Sequence, residues 1–457
     1  IYKLAFISRI SFLLLSVISN FLIFDHNPDS FSTPALAANQ FGLLDKIVWI
    51  LFGGLLRWDA QHFLHIASSG YTYENNLPFF PLFPMIIKNV AFCFRYISRL
   101  NNITSLLLSA YLVNSILFAK ACSTLYILTL SIFKNQNFAY FTVLFYCISP
   151  ATIFFLAPYS ETLFSFCVFK GMLKYVQYRY WSSLMWFSMS VLARANGIVN
   201  VGFILHLFVY YMLVIKFKNI KTVFRYTFYS FLSVCCILLP FVAFQLYVYL
   251  HFCIAKHNHS PLIYDYAKKK NLLLAGSSSV WCNSTLPFSY TYIQDHYWDV
   301  GFLRYYSVKQ IPNFCLALPL VLIIFKYCGK YLYKNWRLFF CFDHIYKHEE
   351  VPIYKIDKSV FVFVVHVMYL TVFAVTHINV QVTTRLIASA SPLIYWIATQ
   401  EFIGHTEIQG KQLVYSFFEW IVHFNKKTNK SGNIIKGYFL LYAVLGTILF
   451  SNNYPWT

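Results

Sequence analysis

The sequence predicts an all-α polytopic membrane protein, and three observations carry that prediction. Hydrophobic residues make up 59% of the 457 residues, charged residues only 11%, and the mean hydropathy is +0.57. A soluble domain carries about a quarter charged residues, so the composition excludes that class. Apolar runs also recur near the length of a bilayer-spanning helix, about 20 residues. Finally, Lys and Arg gather in short connections between those runs. The positive-inside rule then explains the net charge of +20 without nucleic acid.

Taken in order, the runs lie at 4–24, 103–133, 138–157, 160–178, 181–193, 197–215, 222–250, 312–328, 359–377, 385–399 and 437–452, about eleven spans. Lys3 and Arg9 begin the first, and no small-x-small site precedes Asp25-His26-Asn27-Pro28, so it reads as a retained helix. The chain opens at Ile1 rather than Met, and a few preceding residues are expected. Segment 82–98 is apolar but has Pro81 and Pro84 at its start and carries Lys88 and Arg95, with Arg99 just beyond it, which suits a helix lying at the interface. The stretch 181–215 is too long for one span, so it is split at the polar corner Arg194-Ala195-Asn196-Gly197. The 11 cysteines show no CxxC or zinc spacing and read mostly as apolar fillers. Cys253 and Cys282 share one polar loop and are candidates for a disulfide. Without a fixed repeat or a low-complexity linker, residues 1–457 are expected to form a single membrane domain.

A cytosolic N-terminus places Lys134, Lys174 with Arg179, Lys216 to Arg225, Lys326 to Lys358 and Lys411 to Lys436 on one side. The polar segments 25–102, 251–311 and 377–385 then fall on the other, lumenal side. Lys268-Lys269-Lys270 remain there, in a loop too long for the rule to govern. The sequons Asn258-His259-Ser260 and Asn283-Ser284-Thr285 share that side, whereas Asn429-Lys430-Ser431 does not. The long lumenal loops are where chemistry is expected. The first holds a polar island, Arg57-Trp58-Asp59-Ala60-Gln61-His62-Phe63, in which an acid near a membrane is costly, so Asp59 is the first candidate.

The island begins a longer series of strings. Trp58-Asp59-x-x-His62-Phe63 is followed by Gly70-Tyr71-x-Tyr73-Glu74, Phe79-Phe80-Pro81, Ser149-Pro150-Ala151, Tyr159-Ser160-Glu161 and Arg194-x-Asn196-Gly197. Then come Tyr292-Ile293-Gln294-Asp295-x-Tyr297-Trp298-x-Val300-Gly301-Phe302, Gln310-x-Pro312-Asn313-Phe314, Thr384-Arg385 and Pro455-Trp456-Thr457. In this order and spacing they resemble the PIG-V family of glycosylphosphatidylinositol (GPI) mannosyltransferases over essentially the whole chain. The resemblance implies a GT-C type multi-helix fold in the endoplasmic reticulum membrane with its active site facing the lumen. It implies transfer of mannose from dolichyl-phosphate mannose, in α1,6 linkage, to the first mannose of a GPI-anchor precursor. No cofactor is expected beyond that lipid-linked donor, and accessory membrane subunits are not legible.

Under this reading Asp59 takes the acceptor hydroxyl's proton. A structural alternative makes it the N-cap of a helix starting at Ala60. His62 and His65 lie about one turn from Asp59 or from each other, suited to orienting it or binding phosphate, or simply to packing. Glu74, beside Tyr71 and Tyr73, suits sugar hydroxyls or is an ordinary loop carboxylate. Glu161 opens a helix, where an acid is favourable by about 0.3–1 kcal/mol, or, in the intact Tyr159-Ser160-Glu161 motif, binds substrate or acts as a second acid, with Tyr159 also a substrate-binding candidate. Arg194 and Arg385 are candidates for the donor phosphate, with snorkelling to headgroups as the alternative for Arg194. Asn196 accompanies Arg194 as a substrate-binding candidate. Gln294, Asp295 and Trp298 suit glycan recognition or an amphipathic interfacial helix. His257 and His259 read as solvated, and no metal site is expected. The rival in class is another dolichyl-phosphate-mannose transferase, acting on a different GPI mannose or an N-glycan precursor. A lipid or solute transporter is the rival of another class, opposed by the concentration of candidate site acids in the lumenal segments, by the lack of an acid mid-span and by the absence of repeat halves. A non-catalytic subunit is also compatible with family membership.

Overall fold

The computed structural model describes residues 1–28, 30–34, 41–215, 219–277, 279–336, 360–403, 416–422 and 430–456. These are overwhelmingly helical, and their only bridge pairing joins Tyr73 to Leu274 in antiparallel fashion. The first half contains α1 (Tyr2–Leu22), α2 (Leu43–Phe52), α3 (Asp59–Ser69), α4 (Leu82–Ser98), α5 (Asn102–Phe133), α6 (Gln136–Cys147), α7 (Glu161–Val176), α8 (Tyr180–Ala193) and α9 (Val201–Ile215). The second contains α10 (Ile220–Tyr249), α11 (Pro261–Lys270), α12 (Ser289–Trp298), α13 (Ile311–Lys334), α14 (Phe361–His377), α15 (Thr383–Ala390), α16 (Leu393–Ile403), α17 (Phe417–Val422) and α18 (Lys430–Ser451). Five helical stretches are long and apolar enough to cross a membrane: Tyr2–Leu22, Asn102–Phe133, Ile220–Ile254, Val308–Lys334 and Lys430–Ser451. The chain is therefore an all-helical protein with the character of a polytopic membrane protein.

Several expected runs are shorter than drawn, each for a local reason. Run 138–157 ends as a helix at Cys147, so α6 is about 18 Å long and too short to span alone. Pro150 follows, and buried Arg9 of α1 caps the break, donating to Cys147 O at 2.9 Å and Thr152 O at 3.0 Å. Run 385–399 is likewise two helices, α15 and α16, parted at Ser391-Pro392, where proline removes a backbone donor. The division of 181–215 at Arg194 to Gly197 is borne out: α8 ends at Ala193, and a 3₁₀ turn, Ala195–Asn200, leads into α9. Helix α2 is not expected from the sequence, because its ten residues, which include Asp45 and Lys46, fall short of a span. The basic stretches 337–358 and 411–415, together with Lys216, Lys218, Asn429 and Thr457, lie outside the described residues.

Long helix α5 forms the centre, packed against α1, α2, α4, α6 and α7, while α8 joins α7 to α10. The two long loops close over one end of this bundle. Glu74 N donates to Leu273 O and Ala275 N to Thr72 O, each at 2.9 Å. Cys253 and Cys282 are bonded as a disulfide, with Cα atoms 5.7 Å apart. Asn258 and Asn283 are both exposed on this cover.

Candidate active site

Helix α3 begins abruptly at Asp59. The residue before it, Trp58, has φ of +52° and ψ of −126°, a conformation costly for a side chain bearing a Cβ. No side chain caps the helix, so the expected alternative of Asp59 as an N-cap fails. Its carboxylate instead receives Arg385 of α15, with Nη1 2.7 Å from Oδ2. Its backbone N–H donates to the Tyr159 hydroxyl at 3.1 Å. Burial pushes Asp59 towards its neutral form, but Arg385, helped by Arg194, prevails and holds the carboxyl below the ordinary carboxylate range.

The second acid of the site, Glu161, is the first residue of α7 and is fully buried. Arg194, at the C-terminal end of α8, makes an ion pair with its Oε1, and Arg385 Nη1 stands 3.9 Å from the same atom. Two acids and two arginines, far apart in sequence, thus form one continuous network. The Arg385 guanidinium also sits over the rings of Phe154 and Tyr159, at 5.2 and 5.6 Å. Around it, Arg194 Nε, Arg385 Nε, Glu161 Oε2, Asn196 Nδ2, Ser160 Oγ and Thr384 Oγ1 are buried without a hydrogen-bond partner. Such a concentration of unpaired groups is unusual in a folded interior and marks a place where polar ligand groups are expected.

A cavity of about 540 Å³ adjoins this network and reaches between α10, α12 and α14. Arg194, Asn196 and Arg385 contribute its polar wall, while Phe79, Phe80, Tyr290, Trp298 and Phe373 contribute apolar surface. Gln294 and Trp298 of α12 both line it, as expected for the aromatic loop. Asp295 does not: it is half exposed and ion-paired to Arg304 on the outer face of the same helix. His377 and Asn379 also line the cavity, and Asn379 Nδ2 donates to Trp298 O at 3.1 Å. They went unnoticed as site residues, although the short polar link 377–385 was the signal available.

The remaining sequence candidates are structural in their contacts. His62 is stacked between Phe31 and Phe79 at 4.2 and 4.5 Å, and its Nδ1 is 2.6 Å from Asn76 Oδ1. Burial lowers it to about 4, so it is neutral at neutral pH, which removes its charge as a means of holding phosphate. His65 lies between Thr33 Oγ1, at 3.1 Å, and Thr72 Oγ1, at 2.6 Å, and burial lowers it to about 3. Glu74 is turned away from the cavity, accepting from Ser279 Oγ, from Trp281 Nε1 at 2.7 Å and from Tyr297 OH at 2.9 Å. His257 and His259 are fastened to the carbonyls of His251 and Ala275, at 3.0 and 2.8 Å, rather than free in solvent. Among the described residues no group of three His, Cys, Asp or Glu is arranged to hold a metal ion.

Comparison with known proteins places the chain in a family. The family model for mannosyltransferase (PIG-V) matches residues 1–457. The chain is 35% identical to GPI mannosyltransferase 2 of Drosophila pseudoobscura pseudoobscura, covering 100% of this chain and 99% of the relative. It is 32% identical to the human GPI alpha-1,6-mannosyltransferase 2, covering 100% and 98%. The Schizosaccharomyces pombe GPI mannosyltransferase 2 is 29% identical over 85% of this chain and 74% of its own length. Full-length coverage at this identity shows the family: the chain is a member of the PIG-V mannosyltransferases.

Proposed function

We propose that this enzyme transfers the second mannose of the GPI-anchor precursor, taking it from dolichyl-phosphate mannose in α1,6 linkage. The names of its relatives support the linkage and acceptor. The observation that carries the site assignment is the Asp59–Arg385–Glu161–Arg194 network against an aromatic cavity. Asp59 accepts the proton of the acceptor hydroxyl as that oxygen bonds to the anomeric carbon. The bond from that carbon to the phosphate oxygen breaks, and dolichyl phosphate leaves with the electron pair. Arg385 occupies Oδ2 of Asp59, and among the described residues Oδ1 accepts no hydrogen bond, so Oδ1 is the proton acceptor. Arg194 and Arg385 each retain an unpaired Nε–H, which offers the phosphate a donor without dissolving the carboxylate pairs.

In this reading the chain is one GT-C type domain of about eleven spans, with 25–102 and 251–311 in the lumen of the endoplasmic reticulum. It uses no cofactor. Asn196, Gln294 and Trp298 bind substrate, and Tyr159 holds the start of α3 in place. Microsomes from cells lacking the endogenous enzyme and carrying this chain should convert one-mannose GPI lipid to the two-mannose form. Good expression without conversion rejects the assignment. Protection from protease of an epitope near Lys270 in sealed microsomes tests the orientation separately.

A further inference from the structure

A second cleft lies at the opposite end of the bundle. Helix α7 carries Glu161 at its first residue and runs 16 residues before the turn to α8, so that turn stands about 24 Å from the network. There α7, α8, α9 and α10 enclose about 260 Å³ lined by Tyr175, Tyr178, Tyr180, Trp181, Tyr226 and Tyr229. The hydroxyls of Tyr175 and Tyr180 are already engaged, by His206 Nδ1 at 2.7 Å and by Ser233 Oγ. The cleft therefore offers mainly ring surface. Trp181 stays largely exposed and Tyr229 about half exposed at its edge, as aromatic residues do at a membrane interface.

The charge around this cleft is one-sided. From Thr162 to Tyr264 the sequence contains no Asp or Glu. Lys170 and Lys174 are one turn apart on α7, and Arg179 N bonds to Lys174 O at 2.8 Å, which gathers three cations at the α7–α8 turn. They repel one another electrostatically, and among the described residues no acid is paired with any of them. From the other wall, Lys221 lies in the first turn of α10, and the Arg225 guanidinium sits 5.8 Å from the ring centre of Tyr226. None of these cations lines the cleft itself; they flank it, Lys174 and Arg179 on either side of its lining residue Tyr178 in the sequence and Arg225 beside its lining residue Tyr226, so positive charge borders an aromatic cleft from two walls. Tyr178, at the same turn, is held at φ of +55°.

We propose that this cleft binds one acidic glycerophospholipid from the adjoining leaflet, its phosphate among Lys174, Arg179 and Arg225 and an acyl chain along the tyrosine rings. Basic pockets between membrane helices hold anionic headgroups in this way. The inference depends on the chain spanning a membrane and not on its mannosyl transfer. Purified, delipidated protein should be titrated with dioleoyl phosphatidylserine or dioleoyl phosphatidylcholine and its bound lipid counted by native mass spectrometry. One phosphatidylserine should be retained in preference to phosphatidylcholine, and Lys174→Gln/Arg179→Gln should weaken retention about thirtyfold. Lys174→Arg/Arg179→Lys should preserve it, which separates lost charge from lost fold. Phosphatidylserine with brominated chains should quench fluorescence in the wild type more than in Trp181→Phe. Equal retention of the two lipids, retention of neither, unchanged binding in the double Gln variant, or equal quenching overturns the proposal.

Discussion

Glu74 and the Asp59–Glu161 pair are acids placed at the same end of the bundle and treated in opposite ways. Glu74, 3% exposed, receives three neutral donors from the second long loop and, among the described residues, has no cationic partner. Its charge is spread over a closed set of hydrogen bonds, and the result is a latch between loops 25–102 and 251–311. Asp59 and Glu161 instead face two arginines, and the groups around them are left unfinished. Burying such charges costs free energy that a purely structural network recovers by completing its bonds. A carboxylate whose bonding is complete reads as architecture, whereas one in an incomplete network beside a cavity reads as chemistry.

The sharpest way to break that contrast is to remove the ability to accept a proton while keeping shape. Asp59→Asn should reduce mannose transfer by about 10²- to 10⁴-fold, the range for loss of a positioned base, with expression little changed. Product formation per folded molecule, measured beside thermal unfolding, checks this. Substantial turnover in Asp59→Asn would return the network to the structural side.

The arginines sharpen it further. Arg194→Gln should raise the apparent requirement for donor lipid by roughly tenfold or more while leaving the acceptor requirement nearly unchanged. It also removes the nearer cation from the fully buried Glu161, leaving only Arg385 at 3.9 Å, so stability should fall as well. Arg194→Gln/Glu161→Gln should regain stability without regaining donor affinity. Separate titrations of donor and acceptor in detergent distinguish the two effects, and an unchanged donor requirement in Arg194→Gln transfers the phosphate role to Arg385.

Much of this was legible in the sequence, and the failures have physical causes. Helix character, the Arg194 corner and the polar island followed from composition, breaks and spacing, which are local properties, whereas the Cys253–Cys282 bond was only one candidate suggested by a shared loop. The network was visible only as separate members: nothing in a linear chain tells Arg194 from Arg385 as the partner of Asp59, 326 residues from Arg385. Gln294, Asp295 and Trp298 were grouped because they are near neighbours in sequence, yet the spacing of four sets Gln294 and Trp298 on the cavity side of α12, while Asp295, one residue on from Gln294, pairs with Arg304. Glu74 looked like a sugar ligand because its donors lie some two hundred residues further along the chain.

On the latch side, Glu74→Gln should cost about 2–4 kcal/mol of stability, because an amide can accept fewer of the three donors and places its own N–H₂ against one of them. Transfer per folded molecule should be nearly unaffected. Thermal unfolding and specific activity, measured on the same preparation, check both halves. A large loss of specific activity at unchanged stability would move Glu74 back among the substrate ligands.

The smallest effect concerns pH and separates the two regions by sign and range. His62 and His65 lie beneath the latch and are lowered from 6.5 to about 4 and about 3 by burial. Below pH 6.5 the unfolded chain binds protons that the native histidines refuse, so their contribution is full above that value. It declines as pH falls to about 4 for His62 and to about 3 for His65. Asp59 is also depressed, but as a carboxylate it loses its contribution only as pH falls through a value below 3.8. Between pH 6.5 and 4.5, then, the histidines should erode stability by at most about 1.4 kcal/mol per pH unit each while Asp59 stays ionised. Unfolding in detergent across that window, compared between wild type and His62→Gln/His65→Gln, isolates the difference from other buried histidines. A slope that is the same in both proteins would mean that the latch, unlike the charge network, is insensitive to protons.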